Sequence, residues 1–343
     1  PATIKDVAEF AGVSFKTVSR VINNEGSVKP ETLAKVQEAI EKLEYRPNKA
    51  ARDLAGRDNF VLGYVYDNPN AYYVINMQRG ILDECRDNGY ELLIHPCDAS
   101  SDNIISEILN MVASARLAGL ILSPPLSEMP DVLQALDEKG VCYVRVLSGS
   151  QSPEPGLPCV LVDDFKAAFA ITEHLIEQGH QRIAFITGDK EHRSTIERQE
   201  GYKAALKAHG IPYKAGLVID GSYSFETGVK SAEKIVAMKQ KPSAVFACND
   251  EIAAGTLFGT RMRGLDVPGD LAIAGFEDSP FSSQTFPPLT TAAQPTSMIA
   301  QSAASSLIQC LKARKKTGKP CSASARFFTP ELVVRASTQD TSS

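Results

Sequence analysis

Phe15, Lys16 and Arg20 are three side chains near the start of the chain whose types and spacing could do chemistry. They lie within GVSFKTVSRVI, off the helical face that is centred on Val18. Lysine and arginine can donate to the acceptor edge of guanine, and a phenyl ring can contact the methyl group of thymine. The spacing therefore favours contacts with base edges. A small amphipathic bundle with a solvated basic face would explain the same residues without a ligand.

Polar residues in the rest of the chain follow apolar runs that are typical of buried strands. Asn249 ends one such run, Glu277 and Asp278 end a second, and Asp163 and Asp164 end a third. Ligands in open α/β sheets lie beyond the carboxyl ends of the strands. Adjacent residues on a strand point to opposite faces, so the paired aspartates are poorly placed for joint acid–base catalysis. The pattern predicts a clamp for a polar ligand.

The sequence contains none of the short motifs that position a cofactor, a catalytic metal or a nucleophile. We find no G-x-G-x-x-G, G-x-x-x-x-G-K-[ST], H-E-x-x-H or G-x-S-x-G. The five histidines are dispersed along the chain. We therefore predict a protein that is not an enzyme and that has no cofactor and no metal site.

Residues 1–46 are predicted to form an all-α unit of three short helices. The apolar residues of TIKDVAEFA recur at helical spacing, and Gly12 breaks this helix. Ser14 is placed to cap the second helix, and a third follows that Pro47 stops. Two helices joined by a tight glycine turn make a helix-turn-helix unit.

Residues 47–59 are predicted to form a hinge helix and linker. KAARDLA has a helical composition, but isolated helices shorter than ~12–15 residues are marginal in water. Leu54 is the only large hydrophobe of this segment. A plain linker with one exposed leucine is the alternative.

Residues 60–337 show apolar runs that alternate with helical segments, which predicts repeated β-α-β units and parallel sheets. This stretch is too long for one sheet, so we predict two lobes, with PCVLVDD as the first strand of the second. The predicted bounds are about 60–161 and 292–323 for the first lobe and about 162–291 and 324–337 for the second. Residues 338–343 are predicted to form a disordered tail. Asp250 fits a cap for the helix that follows it, whereas Asn249 is the expected ligand residue.

The formal net charge of −5 excludes a uniformly basic surface for nucleic acid. Residues 1–58 carry a net charge of +1 and the remainder carries −6, which indicates different partners for the two ends. The seven cysteines form no C-x-x-C pair, and this indicates reduced thiols in a cytoplasmic protein. We expect no signal peptide and no membrane span, because no apolar stretch of ~18 residues occurs.

Two segments, TIKDVAEFAGVSFKTVSRVIN and VKPETLAKVQEAIEKLEYRPNKAARDLAG, resemble the head of the lactose-repressor family of bacterial transcription regulators. The match runs without a gap from Thr3 to Gly56. The remainder is similar to the effector-binding core of that family, a relative of periplasmic sugar-binding proteins. The resemblance implies a helix-turn-helix head, a hinge helix that forms only on DNA, and a two-lobed α/β core with parallel, doubly wound sheets.

The resemblance also implies roles for individual residues. Phe15, Lys16 and Arg20 would contact bases, and Leu54 would act as a minor-groove wedge that kinks DNA by ~20–90°. The predicted DNA-binding residues are Thr3, Ser14, Phe15, Lys16, Thr17, Ser19, Arg20, Asn23, Asn48, Ala51, Arg52, Leu54 and Ala55. The predicted effector-binding residues are Tyr72, Tyr73, Asp163, Asp164, His192, Ser194, Arg198, Asn249, Glu277 and Asp278. The family usually has aspartate where Glu277 stands, which indicates a less familiar ligand.

We therefore predict a sequence-specific transcription regulator, a repressor, that binds palindromic operator DNA as a homodimer. A small-molecule effector, a sugar or sugar derivative with a nucleobase as the open alternative, would bind between the lobes and rotate them. A periplasmic-type solute-binding protein would share the core but would not carry residues 1–58. An enzyme on a doubly wound fold would require a nucleophile or cofactor motif.

Overall fold

The computed structural model describes residues 2–22, 28–45, 59–152, 156–318 and 324–339. The chain divides into two compact units, Pro1–Asn59 and Phe60–Ser343. Nearly all of the predicted hinge segment lies outside the described residues, so the hinge helix stays a prediction.

The first unit is a bundle of three helices, α1 (Ile4–Phe10), α2 (Phe15–Ile22) and α3 (Pro30–Lys42). Thr3 caps α1 through a reciprocal pair of hydrogen bonds with Asp6. Gly12 turns the chain at a φ of 65°, which glycine adopts without strain. Side chains of all three helices, among them Val18 and Val36, meet in one core. The predicted all-α fold of this unit is confirmed, although α3 ends before its predicted stop.

The first lobe of the second unit contains a six-stranded parallel sheet. Its strands are β1 (Val61–Tyr66), β2 (Glu91–Pro96), β3 (Gly119–Leu122), β4 (Cys142–Ser148), β5 (Cys159–Val162) and β11 (Arg326–Phe328). They lie in the order β11-β5-β4-β3-β1-β2. Its helices are α4 (Ala71–Asn88), α5 (Ile104–Ser114), α6 (Pro130–Glu138) and α12 (Thr296–Thr317). Because α4 and α12 cover one face and α5 and α6 the other, the sheet is buried on both sides.

The second lobe contains a four-stranded parallel sheet. Its strands are β6 (Ile183–Ile186), β7 (Val218–Ile219), β8 (Ala244–Ala247) and β9 (Ala272–Ala274), in the order β7-β6-β8-β9. Its helices are α7 (Asp164–Glu177), α8 (Arg193–Ala208), α9 (Phe225–Ala237), α10 (Asp250–Arg261) and α11 (Pro280–Gln284). The sheet and its helices share one apolar core that includes Phe185 and Phe246.

The lobes are joined by strand crossings beside an antiparallel pair, β10 (Thr291–Ala293) with β12 (Glu331–Val333). Within the described residues the chain passes between the lobes from β5 to α7, from β10 to α12 and from β11 to β12. The predicted fold class, two lobes of parallel, doubly wound sheet, is confirmed. The cleft between the lobes is lined by the carboxyl ends of strands from both sheets.

Two lobe assignments of the sequence analysis were wrong. PCVLVDD was assigned to the second lobe, but its strand β5 pairs with β4 of the first. Residues 324–337 were also assigned to the second lobe; β11 instead pairs with β5 in the first, whereas β12 lies with the second lobe as predicted. The physical reason is that buried parallel strands carry similar apolar runs in either sheet, and strand pairing is not a local property.

The folded core includes a residue that was predicted to lie in the C-terminal tail. Thr338 was placed in the tail, but it is only 4% exposed. Its hydroxyl shares hydrogen bonds with His174 Nε2 at 2.8 Å and with Thr290 Oγ1 at 2.7 Å. Buried polar groups with partners of this kind belong to the folded core. Residues 340–343 lie outside the described residues.

The cysteines are not all reduced. Cys310 is disulfide-bonded, which contradicts the interpretation of the cysteines as thiols. The other cysteines of the described ranges, Cys85, Cys97, Cys142, Cys159 and Cys248, are free. A disulfide requires two Cα atoms within ~7 Å, and this proximity depends on the fold rather than on sequence spacing.

Close packing of α9 against α10 depends on glycine. A Cβ atom on Gly255 would lie 2.0 Å from the carbonyl oxygen of Phe225, whereas a Cβ on Gly216 would meet nothing within 4 Å. We expect Gly255→Ala to lower the free energy of unfolding by about 1–3 kcal/mol, because the two backbones must separate. Urea denaturation measures this change. Equal effects of Gly255→Ala and the control Gly216→Ala would contradict the packing argument.

Candidate functional site

One face of α2 presents polar and aromatic side chains to solvent. Phe15, Lys16 and Arg20 are exposed on it, whereas Val18 and Val21 are buried in the core of the first unit. The ring of Phe15 is 52% exposed, although burying such a ring would contribute ~1.5–3 kcal/mol. An exposed ring beside two cations on a second helix matches the geometry of a helix that enters the major groove.

The other predicted DNA-binding residues of the first unit lie around this face. Ser14 Oγ accepts a hydrogen bond from the Thr17 backbone N–H at 3.2 Å and shares another with Thr17 Oγ1 at 2.9 Å, so both side chains help to begin α2. Thr3 is exposed, but its hydroxyl donates to Asp6 at 2.8 Å. Ser19 is partly buried. The remaining predicted residues lie outside the described residues: Asn23, Asn48, Ala51, Arg52, Leu54 and Ala55.

Arg198 lies at the centre of a polar cluster in the cleft of the core. It is 4% exposed, and its Nε donates to Asp164 Oδ1 at 2.8 Å. Its Nη1 donates to the carbonyl oxygen of Cys248 at 2.6 Å, and its guanidinium lies 3.7 Å from the ring centroid of Phe276. Ser148 Oγ donates to the other carboxylate oxygen of Asp164 at 2.6 Å. Arg198 is therefore held rigidly at the point where β5 crosses into the second lobe.

Glu277 connects the two lobes across the cleft. Asn70 Nδ2 donates to Glu277 Oε2, and Glu277 Oε1 lies 3.9 Å from Arg198 Nη1. The φ of Glu277 is 104°, a strained value for a residue other than glycine. Burial raises the pKa of Glu277 to about 8, although Arg198 acts in the opposite direction. This burial favours the protonated carboxyl group, which can donate a hydrogen bond as well as accept one.

Asn249 and Asp250 have roles different from those expected. Asn249 is fully buried and caps α10, because its Oδ1 accepts from the Ile252 N–H at 2.9 Å. Asp250 is the buried acceptor instead, with donors at 2.7 Å from the Ser279 N–H and at 2.6 Å from Thr291 Oγ1. The Asn249 Nδ2 atom has no hydrogen-bond partner in the part of the chain that the structure describes. Its role toward a ligand stays a prediction.

His192 and Ser194 lie beside Tyr223. Tyr223 OH shares hydrogen bonds with Ser194 Oγ at 3.3 Å and with Thr195 Oγ1 at 2.7 Å. The ring of His192 packs edge-on against that of Tyr223, with centroids 5.6 Å apart. Burial lowers the pKa of His192, so its ring is neutral at pH 7. Tyr223 was not predicted from the sequence, because the preceding strand β7 is too short to form a recognisable apolar run.

Tyr72 and Tyr73 begin α4, which Asn70 caps by accepting from both of their N–H groups at 3.1 Å. Burial raises the pKa of Tyr73 to about 12, so its phenol stays neutral. The ring of Tyr72 meets that of Phe281 from the second lobe, with centroids 5.8 Å apart. The two tyrosines therefore lie at the same end of the cleft.

Asp163 and Asp278 are held by neighbours outside the central cluster. Asp163 caps α7 by accepting from the Lys166 N–H at 2.9 Å. Asp278 Oδ1 accepts from Arg335 Nη2 and from Ser282 Oγ, both at 2.7 Å. Both carboxylates therefore have partners of their own.

The central cluster surrounds a cavity of about 50 Å³ between the lobes, which we call the inner cavity. It is lined by Asn68, Asn70, Tyr73, Pro124, Val146, Leu147, Ser148, Val162, Asp164, His192, Ser194, Arg198, Tyr223, Glu277 and Gln294. Six predicted effector-binding residues are thus brought together, and Tyr72, Asp163, Asn249 and Asp278 are not. Asn70 and Gln294 were missed; the position of Asn70 before a helical run was the signal that could have found it.

The inner cavity is far smaller than the ~300–1,000 Å³ of sites that bind small molecules. A second space of about 1000 Å³, which we call the outer cleft, shares Asn68 and His192 with it. The carboxylates that line the outer cleft are Asp67, Asp98, Glu128, Asp189 and Glu191. Separation of the lobes would join the two spaces.

The described residues contain no group of three or more His, Cys, Asp or Glu side chains arranged to hold a metal ion. In the same ranges, no helix combines the length and the apolar character that crossing a bilayer requires.

Comparison with known proteins identifies both units. Residues 3–48 match the family described as bacterial regulatory proteins, lacI family, and residues 172–338 match a periplasmic binding protein-like domain. The catabolite control protein A of Priestia megaterium is 35% identical over 295 residues, which cover 85% of this chain and 87% of that protein. The chain belongs to the lactose-repressor family. It is therefore a DNA-binding transcription regulator and not an enzyme.

Two solved structures show the same architecture. The lac repressor dimer bound to operator and an anti-inducer is 27% identical, with a TM-score of 0.76 over 98% of this chain and 99% of that one. A complex of the transcriptional regulator CelR with cellobiose is 29% identical, with a TM-score of 0.73 over 98% of this chain and 100% of that one.

Proposed function

We propose that this lactose-repressor family member is a repressor controlled by a carbohydrate or carbohydrate derivative that binds between its lobes. The observation that carries the proposal is the inner cavity, because its polar groups from both lobes match a ligand rich in hydroxyl groups. Arg198 and Asn70 supply donors, Asp164 supplies an acceptor, and protonated Glu277 supplies both. Cellobiose in the CelR complex is a ligand of this class.

Opening of the lobes would admit the ligand. The inner cavity would take one sugar ring after this opening, and a longer ligand would extend past His192 into the outer cleft. The faces of Tyr73 and Tyr223 are suited to the apolar faces of sugar rings. A ligand that contacts both lobes favours the lobe arrangement in which it makes more contacts, which is how it would change the affinity for DNA.

Operator binding is proposed for α2 and for the segment that follows α3. Phe15, Lys16 and Arg20 would read base edges, and Leu54 would wedge the minor groove, as expected from the sequence. Exposed apolar side chains on α4 and α10, among them Ile75 and Phe258, support a homodimer. Two heads would then bind the two halves of a palindrome, as the lac repressor dimer binds its operator.

Two measurements on the full chain test this proposal. A gel-shift selection from a palindromic DNA library should enrich one operator, and thermal-shift screening against a carbohydrate panel should find a stabilising ligand that changes operator affinity. Enrichment of an operator without any stabilising carbohydrate would support the DNA-binding role and reject a carbohydrate as the effector. If no DNA sequence is enriched at moderate salt, sequence-specific operator binding is rejected.

Lys16→Ala tests direct base recognition. We expect a loss of about 1–3 kcal/mol at one base position of the operator, because a single charged donor to a base edge is removed. Lys35→Ala removes an exposed lysine from α3 of the same unit and serves as the control. Competition gel shifts with operators changed at each position measure the loss. Equal weakening on every sequence would show that Lys16 contacts phosphate instead.

A further inference from the structure

A second cavity, of about 530 Å³, lies behind the inner cavity, and we call it the rear cavity. It is lined by Tyr72, Tyr73, Asn76, Glu277, Asp278, Ser279, Ala293, Gln294, Pro295, Thr296, Met298, Phe327, Phe328, Thr329 and Glu331. The two cavities share only Tyr73, Glu277 and Gln294, so these three residues form the wall between them. The volume is within the ~300–1,000 Å³ range of sites that bind small molecules.

Four aromatic side chains line the rear cavity. Tyr72 and Tyr73 come from the start of α4, and Phe327 and Phe328 come from β11. Phe327 is 58% exposed and Met298 is 59% exposed, although both side chains are apolar. The concave surface therefore keeps several ring faces in contact with water, and a bound ligand would cover them.

The ionisable side chains of the rear cavity, apart from its two tyrosines, are all carboxyl groups. Its lining includes Glu277, Asp278 and Glu331, and none of the described residues that line it is a lysine, arginine or histidine. Asp278 is neutralised by Arg335 from outside the lining, and Glu277 is bonded to Asn70. The carboxylate of Glu331 has no cationic partner among the described residues. Aromatic faces and an uncompensated carboxylate together attract a positive charge.

We propose that the rear cavity is a second ligand site, distinct from the effector site, and that it binds an organic ammonium compound. The ring faces of Tyr72 and Phe327 would contact the cation, and Glu331 would supply the counter-charge. The protonated carboxyl of Glu277 would add a second negative charge, because a nearby cation favours the ionised form of a carboxyl group. Binding is therefore expected to release a proton from Glu277.

A ligand in the rear cavity would touch both lobes. Tyr72 belongs to the first lobe, Ser279 follows a strand of the second, and Gln294 and Thr329 lie in two of the crossings between the lobes. A change in the angle between the lobes would alter the shape of this space. The affinity of the organic cation should consequently differ between lobe arrangements, and it would shift their populations.

Choline and its neutral isostere 3,3-dimethyl-1-butanol provide a matched pair of probes. Calorimetric titration of the full chain should show binding of choline that is about tenfold or more tighter than binding of the isostere, since only choline carries the charge. Phe327→Ala and Glu331→Gln should each weaken choline binding several-fold. Both side chains are exposed, so neither variant should unfold the protein. Phe286→Ala removes another exposed phenylalanine outside the cavity and should change nothing.

Several outcomes would overturn the proposal. Equal affinities for choline and the isostere would reject recognition of charge, and no binding of either would reject the ligand class. Unchanged binding in both Phe327→Ala and Glu331→Gln would place choline elsewhere. If the heat of choline binding does not depend on the ionisation enthalpy of the buffer, no proton is released. Glu277 would then not ionise on binding. None of these results bears on the carbohydrate site, which the thermal-shift screen tests separately.

Discussion

Replacing Arg198 with methionine is expected to lower the free energy of unfolding of the core by about 3–5 kcal/mol, because the change leaves Asp164 as a buried charge without its partner. The side chains of both residues are at most 5% exposed, and the pair is only 2.8 Å apart. Water therefore cannot replace the lost contact. Chemical denaturation of the variant, followed by a spectroscopic signal of the core, measures this change.

The double variant Arg198→Met with Asp164→Asn separates the ion pair from general packing. Removal of both charges should recover a large part of the lost stability, because no unpaired ion remains. If the double variant is as unstable as the single one, the ion pair is not the cause. At temperatures where Arg198→Met is folded, it should bind the operator and fail to respond to the effector. A preserved response would place the effector away from Arg198.

The free energy of unfolding of the core should fall as the pH rises, because of the shifted pKa of Glu277. Its pKa is raised from 4.5 to about 8 by burial in the folded state, so the folded protein keeps a proton that the unfolded chain has lost. The stabilisation is complete below about pH 4.5 and is lost as the pH rises through about 8. Each pKa unit corresponds to about 1.4 kcal/mol, so the total effect amounts to several kcal/mol.

Glu277→Gln is the direct test, because glutamine keeps the acceptor for Asn70 and cannot ionise. The stability of this variant, measured by urea denaturation between pH 5 and pH 8, should fall less steeply than that of the unchanged protein. Asp250, whose pKa burial raises to about 7, contributes a slope of the same sign. Some of this slope should therefore remain in Glu277→Gln and decrease further when Asp250→Asn is added. Identical slopes in all three proteins would show that neither carboxyl holds a proton.

Local signals in the sequence were sufficient for the first unit. The period of apolar residues predicted α1 and α2, and Gly12 marked the turn between them. The exposed position of Phe15 followed from the same periodicity, because Val18 and Val21 define the buried face. These features depend on neighbours within one or two helical turns, and such neighbours are visible in sequence.

The lobe assignment could not be predicted in the same way. β5 and β11 are short apolar or mixed runs, and their partners are set by pairing with strands far away in the chain. Nothing within either run distinguishes one parallel sheet from another. The order of strands was therefore accessible only from the structure.

The candidate site was predicted in its main parts. Arg198, Asp164 and Glu277 lie together as expected, because strand ends meet at one edge of a sheet. Asn249 and not Asp250 caps the helix that follows, since both types of side chain can cap a helix and only the three-dimensional neighbours decide between them. Asn70 was missed because its importance depends on a contact with Glu277 from the other lobe.

The small volume of the inner cavity would limit the rate at which a ligand associates with the protein. The carbohydrate proposed as the effector is too large for a space of about 50 Å³, so its binding there would require the lobes to separate first. As the ligand concentration increases, the observed association rate should rise to a plateau that equals the opening rate. Domain motions of this kind take microseconds to milliseconds. The response to a sudden rise in ligand concentration would then be set by the rate of lobe opening and not by the rate of diffusion.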